Sequence, residues 1–332
     1  MGVTLKDVAE RAGVSRSAVS RTFTDGASVS AKTRSKVEKA ASELGYAPNA
    51  LASSLTTGRT KMIGLIANNF HNPLILEVFD LFTRGLQDRG LRPLLVNLSD
   101  ATDPADSVRM LRQYSVDGVI VASSTLPSSF ALAFKAAGLP VVHAFGRYAT
   151  APDVHVVGID NVACGRMAAE ALVQRGYGRV AFLGGPRSAT STQDRVAGFL
   201  GALAGCPEVH VSASYASAYT FDAGRTEMQQ LLQDTPAEAY FCGDDLLAVG
   251  ALSAIHEAGL SVPGDIGLIG LNDMEMARWQ MIGLTTIRQP VAQIIDAAIA
   301  LVVSTIEDPG RPPETRLFPC RVVERQTLRA LP

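Results

Sequence analysis

The sequence predicts two kinds of structure in one chain, a small all-α helix-turn-helix headpiece and a larger α/β body. Three observations predict this division. Short amphipathic stretches with helix caps fill residues 1–46, buried apolar strands alternate with amphipathic helices from Lys61 onward, and the two parts differ in the sign of their charge. With 332 residues, the chain is also too long for one ordinary compact core.

The charge is segregated along the chain. Residues 1–60 hold nine Lys and Arg and five Asp and Glu, a formal charge of +4, while the other 21 basic and 27 acidic residues leave −6 on the remainder. A small basic module on an acidic body favours a polyanionic partner for the front end, although a solvated basic face would carry the same charge.

Two short helices are predicted at the start of the headpiece. Thr4 can cap the first helix, whose apolar residues repeat at helical spacing, and Gly13 ends it after two turns. Ser15 can cap the second helix, at roughly residues 16–23. The open face of that second helix carries Arg16, Ser17, Ser20 and Arg21.

A third helix is predicted from the cap Ser30 to Gly45. Two short helices joined by a tight turn are typical of a helix-turn-helix, in which the second helix enters the major groove of DNA. Arg16 can donate two hydrogen bonds to a guanine. Three hydroxyls can hold backbone phosphates, those of Ser15, Ser30 and Thr33. On this pattern alone, a three-helix bundle that does not touch DNA is the alternative.

The string from Thr4 to Ile66 resembles the lactose/galactose repressor (LacI/GalR) family. Its most specific motifs are T-L-x-D-V-A-x-x-A-G-V-S, V-S-x-K-T-R-x-K-V and G-Y-x-P-N-A-x-A-x-x-L. The resemblance implies a ligand-responsive transcription regulator, expected to be a repressor, that binds double-stranded, pseudo-palindromic operator DNA as a homodimer. It implies base contacts by Arg16, Ser17 and Arg21, and phosphate contacts by Thr4, Ser15, Ser20, Ser30, Thr33 and Tyr46.

Residues 47–60 are predicted to be a hinge helix or linker. Asn49 can cap a helix of about two turns, and so short a helix is only marginally stable in water by itself. In the resembling family such a helix folds on operator DNA, where Leu55 would wedge into a base step of the minor groove. The alternative for Leu55 is a linker residue with a casual apolar contact. The resemblance adds Asn49, Ala52 and Leu55 to the DNA-binding residues.

From residue 61 to residue 332, strands separated by helices predict parallel sheets with right-handed crossovers. The family resemblance continues here more loosely, through D-G-V-I at 117–120, G-I-D-N at 158–161, D-R-V-A-G-F at 194–199 and L-T-T-I-R-Q-P at 284–290. It implies a two-lobed, periplasmic-binding-protein-like effector domain. The N-lobe is expected at about 61–160 and 291–318, the C-lobe at about 161–290 and 319–332, and the chain is expected to cross near Asp160, Pro290 and Pro319.

Ligands in open α/β folds sit at the carboxyl ends of the strands, where this chain places many polar residues. By resemblance, the effector-binding residues are Asn69, Phe70, Leu74, Ser123, Asp160, Ser191, Arg195, Tyr219, Asp244, Asn272 and Gln289. Arg195 is the best single candidate because a guanidinium can grip two ligand oxygens. The mix of carboxylates, amides and a tyrosine favours a sugar or sugar derivative as the effector.

Several of these residues have structural alternatives. Asp160 could satisfy backbone groups at the lobe junction, Arg195 could form an internal ion pair, and Asp245 is expected to cap a helix. Leu74 and Ile75 stand where purine-sensing relatives carry aromatic residues that stack on a base, which counts against a purine ligand.

No enzyme, metal or cofactor motif stands out. The patterns G-x-x-x-x-G-K-[ST], H-E-x-x-H and G-x-S-x-G are absent, the five histidines are scattered, and the four cysteines match no zinc spacing. An α/β enzyme and a solute-binding transport protein are the disfavoured alternatives. Neither a signal peptide nor an apolar run of membrane-spanning length is visible, so a cytoplasmic protein without a membrane partner is expected.

Overall fold

The computed structural model describes residues 3–24, 26–49, 54, 57–98 and 103–332. Its contacts divide the chain into two units, Met1–Lys61 and Met62–Pro332. The described part of the first unit forms α1 (Leu5–Ala12), α2 (Arg16–Thr22) and α3 (Ala31–Leu44). The apolar faces of these helices share a small core of Val8, Ala9, Val19, Val37, Ala40 and Ala41.

Each headpiece helix begins at a hydroxyl cap. Thr4 and Asp7 form a capping box, in which the Asp7 carboxylate accepts a 2.7 Å hydrogen bond from the Thr4 backbone N–H. The hydrogen bonds from Thr4 lower the pKa of Asp7. Ser15 and Ser30 accept from the backbone N–H groups of Ala18 and Thr33, both at 3.2 Å. The predicted all-α headpiece is confirmed.

The second unit is built from two sheets with helices around them. The N-lobe contains β1 (Met62–Ala67), α4 (Pro73–Gln87), β2 (Arg92–Asn97), α5 (Pro104–Gln113), β3 (Gly118–Ala122), α6 (Ser128–Ala136), β4 (Val141–Ala144), β5 (His155–Gly158), α11 (Val291–Glu307) and β11 (Thr315–Leu317). Its sheet has the strand order β11-β5-β4-β3-β1-β2, and all of the pairings are parallel. β3 is buried throughout and apolar, as expected for a parallel strand that is covered on both faces.

The C-lobe repeats this plan. It contains α7 (Asn161–Val173), β6 (Arg179–Gly184), α8 (Thr190–Leu203), β7 (His210–Tyr215), α9 (Phe221–Leu231), β8 (Ala239–Cys242), α10 (Asp245–Glu257), β9 (Gly267–Asn272), a 3-10 turn at Glu275–Arg278, β10 (Thr286–Arg288) and β12 (Arg321–Val323). The strand order is β12-β10-β9-β8-β6-β7, in which only the short β12 runs antiparallel to its neighbour. The prediction of two parallel α/β lobes is therefore confirmed.

The chain passes between the lobes in three places. The first crossover joins β5 to α7 at residues 159–160, the second joins β10 to α11 at 289–290, and the third joins β11 to β12 at 318–320. Because the carboxyl ends of the strands in both lobes lead toward these crossovers, the loops that follow the strands meet between the two sheets.

Candidate DNA-binding face and effector cleft

The outer face of α2 is exposed and basic. Arg16, Ser17, Ser20 and Arg21 are all exposed. In the described part of the chain, neither Arg16 nor Arg21 has an acidic partner, whereas Arg11 pairs with Glu43 at 2.6 Å. Two guanidinium groups on one exposed face are therefore available to an external acceptor, as base readout in a major groove requires.

The predicted phosphate-contacting residues include the N-caps of all three headpiece helices, Thr4, Ser15 and Ser30. The hydroxyls of Ser15 and Ser17 lie 2.9 Å apart, and those of Ser30 and Thr33 lie 2.8 Å apart. Thr4 and Asn49 are exposed, while the ring of Tyr46 packs against that of Phe23 at 5.9 Å. The predicted hinge residues Ala52 and Leu55 lie outside the described residues.

A narrow cavity lies between the two lobes of the second unit. Eight of the predicted effector-binding residues line it: Asn69, Leu74, Ser123, Arg195, Tyr219, Asp244, Asn272 and Gln289. They come from loops that follow strands in both sheets and from the first turns of the next helices, so both lobes contribute polar groups to one space.

The other three predicted residues lie elsewhere. The Phe70 ring packs on Phe79, with 4.9 Å between ring centroids. Asp160 caps α7 by accepting from the Ala163 N–H at 2.9 Å. The Ser191 backbone N–H donates to the Ser124 carbonyl at 3.1 Å, and the Ser191 hydroxyl is buried with no hydrogen-bond partner among the described residues.

Arg195 is buried, with only 4% of its surface exposed, and it is held by two acceptors. Its Nε donates to Asn161 Oδ1 at 2.8 Å, and its Nη1 donates to the Gly243 carbonyl at 2.6 Å. Within the described chain, no partner is found for Nη2, which leaves the outer edge of the guanidinium available in the cavity. The predicted alternative of an internal ion pair is wrong, because both protein partners are neutral acceptors.

A buried hydrogen bond crosses the cavity. Asn72 caps α4 in the N-lobe, and its Nδ2 donates to Asp244 Oδ2 of the C-lobe at 2.8 Å. Asp244 in turn caps α10 through the Leu247 N–H at 2.8 Å. Burial raises the pKa of Asp244, and the hydrogen bonds from Leu247 and Asn72 oppose that rise.

Further hydrogen bonds join the two lobes. Thr190 Oγ1 at the start of α8 donates to the Ser124 carbonyl at 3.0 Å. Arg147 of the N-lobe donates from Nε to Asp194 Oδ1 on α8 at 2.9 Å. These contacts hold the lobes together in the arrangement seen, and they are polar and therefore replaceable by the polar groups of a ligand.

Comparison with known proteins agrees with both parts of the chain. Residues 4–49 match the family described as bacterial regulatory proteins, lacI family, and residues 169–328 match a periplasmic binding protein-like domain. The chain is 32% identical to the transcriptional repressor PurR of Klebsiella pneumoniae over 98% of this chain and 96% of that protein.

This chain belongs to the lacI family of bacterial regulatory proteins. Among solved structures, the lac repressor dimer bound to operator and the anti-inducer ONPF is similar with a TM-score of 0.88, at 27% identity and with 99% and 100% of the two chains covered. The CelR–cellobiose complex is similar with a TM-score of 0.73, at 28% identity and with 98% and 99% covered. The predicted family and the predicted two-part fold are confirmed, and the chain is a ligand-responsive DNA-binding transcription regulator.

The sequence missed part of the cleft of this lacI-family regulator. Besides Ser124 and Ile75, which the sequence also pointed to, the cavity is lined by Asn68, Asn72, Val78, Ala122, Thr125, Phe145, Ile159 and Asn161. Asn72 had a local signal, because an Asn before Pro73 is a typical helix start. Asn161 had none, since its role depends on Arg195, 34 residues away.

One prediction about the loop after β8 is wrong. Asp245 does not cap α10, because Asp244 occupies the cap position and Asp245 is the first helical residue. The buried Asp245 carboxylate accepts from the Met274 N–H at 2.7 Å and from Thr286 Oγ1 at 2.5 Å. Burial raises the pKa of Asp245 to about 7. Asp245 therefore joins three segments within the C-lobe and does not face the effector cavity.

Neither a metal-binding cluster nor a membrane-spanning helix is found among the described residues. No cluster of three or more His, Cys, Asp or Glu side chains there is arranged to hold a metal ion. The helices that the structure describes include none with the length and apolar character needed to cross a membrane.

Proposed function

We propose that this lacI-family regulator represses transcription from a pseudo-palindromic operator, which it binds as a homodimer. A small polyhydroxylated effector, a sugar or sugar derivative, controls its operator affinity from the cleft between the lobes. The protein carries out no catalysis in this proposal. The observation that carries it is the composition of the cleft, where amide, hydroxyl, carboxylate and guanidinium groups from both lobes converge on one cavity.

The cleft suits neutral hydroxyl groups better than a strongly charged ligand. A single cation, Arg195, and a single anion, Asp244, line it, and the remaining polar groups are amides and hydroxyls. Amides and hydroxyls both donate and accept, which is what a sugar hydroxyl requires of its partners.

The apolar part of the cleft supports the same ligand class. Leu74 and Ile75 present aliphatic surface, and the Tyr219 ring lies over the backbone at Gly185, where an added Cβ would come within 2.4 Å. An aliphatic wall together with the Tyr219 and Phe145 rings can pack on the apolar face of a saturated ring. The solved relative in complex with cellobiose is a precedent for a saccharide.

The proposed control works through the contacts between the lobes. An effector that bonds to Asp244 or Ser124 competes with Asn72 and Thr190 for the same atoms, and so it changes the free-energy difference between lobe arrangements. The two hinge segments of the homodimer then change their spacing, and Leu55 leaves or enters the minor groove. The solved dimer on its operator is a precedent for this assembly.

The experiment combines an operator search with an effector screen. Duplex fragments from the gene's own neighbourhood are tested by gel shift with the full chain, and sugars, sugar acids and sugar phosphates are tested by thermal shift. We expect retardation by at least one fragment and a change in that retardation with at least one sugar. Absence of retardation under every ligand condition would overturn the regulator assignment. Retardation without any thermal shift would overturn only the effector class.

A further inference from the structure

Three arginines of the C-lobe surround one buried carboxylate next to the second lobe crossover. The Asp273 side chain is fully buried, and its carboxylate accepts from Arg288 Nε and from Arg325 Nη2, both at 2.5 Å. Arg278 Nη2 lies 3.6 Å from the same carboxylate. Because arginine stays charged in proteins, three guanidinium groups around one carboxylate leave two positive charges in excess.

The side of this cluster that Asp273 does not neutralise faces a pocket that is open to solvent. Arg278 and Arg288 both line the pocket. In the described part of the chain, Arg288 uses only its Nε to reach a protein acceptor, so its two Nη groups remain available. A second pocket shares Arg288 with the first and adds Arg321, which has no acidic partner among the described residues. The two together form an arginine pocket, lined by Arg278, Arg288 and Arg321.

The arginine pocket contains too little negative charge to balance its cations. Apart from Asp273, the acidic side chain that lines it is that of Glu77 on α4, which is exposed and forms no ion pair within the part of the chain that the structure describes. Counting Glu77 and Arg321 together with the cluster leaves the same excess of two positive charges. Like charges held in one pocket repel each other, so a bound anion is stabilised there.

The first turn of α11 forms the wall of the pocket on the N-lobe side. Pro290, Val291, Ala292 and Gln293 line it, and no side chain caps this helix of 17 residues. The first backbone N–H groups of a helix have no intrahelical acceptor, and they carry a partial positive charge. This helix start adds donors to a site that the arginines of the C-lobe already define, so an anion held there contacts both lobes.

We propose that the arginine pocket is a binding site for a phosphate-type oxyanion, either inorganic phosphate or the phosphate group of a small organic phosphate. Arg278 and Arg288 donate to its oxygens from their Nη groups, in the planar geometry that suits phosphate. A phosphate monoester carries a charge of about −1.5 to −2 at pH 7, which matches the excess of two positive charges. Chloride or a monocarboxylate would leave half of that excess in place.

The arginine pocket shares a wall with the effector cleft. Asn272 and Gln289 line both spaces, and Gln289 Nε2 donates to Asn272 Oδ1 at 2.7 Å. Each of the two is the chain neighbour of a cluster member, Asn272 of Asp273 and Gln289 of Arg288. A bound oxyanion that repositions Arg288 therefore also shifts this wall, and it is expected to change the affinity of the cleft for its effector. That coupling rests on the proposed function, whereas the oxyanion site does not.

The test titrates the full chain with inorganic phosphate by calorimetry, at neutral pH and constant ionic strength, in the absence of DNA and of any sugar. We expect saturable binding of one phosphate per chain. Arg278→Gln should weaken that binding about tenfold, because a charge-assisted hydrogen bond is lost. Since Arg278 only approaches Asp273 at 3.6 Å, this substitution leaves the two hydrogen bonds of Asp273 in place. Glycerol phosphate then distinguishes the two sources, because tighter binding than that of inorganic phosphate assigns an organic phosphate and weaker binding assigns the free ion.

Arg166 on α7 provides the matched control. Its side chain is 60% exposed, against 59% for that of Arg278, and it also has a single acidic neighbour, Glu170 at 4.0 Å. It lines neither of the two pockets, so Arg166→Gln should bind phosphate like the wild type.

Three outcomes would overturn the proposal. One is the absence of saturable phosphate binding, and another is an equal loss of affinity in Arg166→Gln and Arg278→Gln. The third is a loss of binding in Arg16→Ala while Arg278→Gln binds normally, which would place the phosphate on the headpiece. All three are measured without operator or effector, so they leave the proposed regulatory function untouched, and a failed effector screen leaves the oxyanion site untouched.

Discussion

Asn72 and Asp244, which lie 172 positions apart, form a buried hydrogen bond of 2.8 Å that connects the two lobes. Each side chain also caps a helix of its own lobe, Asn72 at the start of α4 and Asp244 at the start of α10. The same pair thus joins the starts of two helices and the two sheets behind them. A ligand hydroxyl that replaces the Asn72 amide as the hydrogen-bond donor to Asp244 would break this link between the lobes without uncapping α10.

We expect Asn72→Ala to lower the free energy of unfolding by about 1–3 kcal/mol, because it leaves a buried carboxylate with one partner fewer and uncaps α4. It should also change the effector concentration needed for a half-maximal response. Urea denaturation and operator titration with increasing effector measure the two effects.

Asn72→Ser separates the two roles of Asn72. Serine still caps the helix but is too short to reach Asp244. The Ser variant should therefore recover the cap contribution of roughly 1 kcal/mol while keeping the altered effector response. An effector response in Asn72→Ser equal to that of the wild type would show that the bond to Asp244 does not control the lobes.

A second prediction concerns base readout by α2. Arg16→Ala should weaken operator binding by about 1–3 kcal/mol and relax the sequence preference at one base pair in each half-site, since a bidentate contact to guanine is lost. Fluorescence anisotropy with the operator and with single-base-pair variants measures both effects.

Lys39→Ala on α3 is the matched control for the loss of one positive charge. Lys39 is exposed but lies more than two turns from the α3 cap and is not among the predicted DNA-binding residues. Its loss should weaken binding only slightly and by the same factor on every sequence. If Arg16→Ala also lowered the affinity by the same factor on every DNA sequence, Arg16 would contact a phosphate and not a base.

Local patterns predicted the fold, and the cleft only in part. Gly13 and Gly45 end their helices in the left-handed conformation. Glycine adopts this conformation readily because it has no Cβ, so a glycine at the end of a helical pattern is a local signal of the helix end. Polar residues after buried strands were also predictable, because parallel strands bring their carboxyl ends to one edge.

Contacts between distant segments were not predictable from such patterns. Thr190 and Ser124 lie 66 positions apart, and nothing in either local sequence indicates their hydrogen bond. The exchange of roles between Asp244 and Asp245 has a different cause. Two consecutive carboxylates both suit a cap, and local propensity leaves a helix start uncertain by about one or two residues. Tertiary contacts of Asp245 with Met274 and Thr286 decide between them.

A third prediction concerns the pH dependence of stability. His143 is fully buried, and burial lowers its pKa to about 4 despite the hydrogen bond to the Ser123 carbonyl. In the unfolded chain its pKa is about 6.5. As the pH falls from about 6.5 to about 4, the unfolded chain binds a proton that the folded chain does not, so this residue costs up to about 3 kcal/mol of stability.

Asp245 acts in the opposite direction. Its pKa of about 7 in the folded chain lies above the ordinary value of 3.8, so the folded state takes up a proton first and gains stability as the pH falls from about 7 toward about 4. The two residues therefore offset each other in the wild type. In the His143→Gln variant only the Asp245 contribution should remain. The free energy of unfolding should then rise, relative to that of the wild type, as the pH falls from about 7.5 to about 5. His210→Gln on the exposed edge strand β7 is the control and should leave the pH profile unchanged.

The last prediction concerns the packing of α7 against α8. A Cβ added at Gly198 on α8 would lie 1.9 Å from the Val162 carbonyl oxygen, and one added at Gly165 on α7 would lie 2.1 Å from the Arg195 carbonyl oxygen. These approaches involve backbone atoms, so the helices must separate to accept a methyl group. Because Arg195 lies on α8 and Asn161 on α7, separation lengthens the bond that holds the guanidinium in the cleft.

We therefore expect Gly198→Ala to destabilise the effector domain by about 3 kcal/mol or more and to abolish the effector response, while operator binding by the remaining folded protein persists. Gly201→Ala is the matched control, because Gly201 lies on the same helix and an added Cβ there meets nothing within 4 Å. Since alanine is the better helix former, that variant should be neutral or more stable by up to about 1 kcal/mol. Thermal denaturation with and without effector measures the stability and the effector response of each variant. Equal stability of the two variants would mean that α7 and α8 have room to separate without disturbing Arg195.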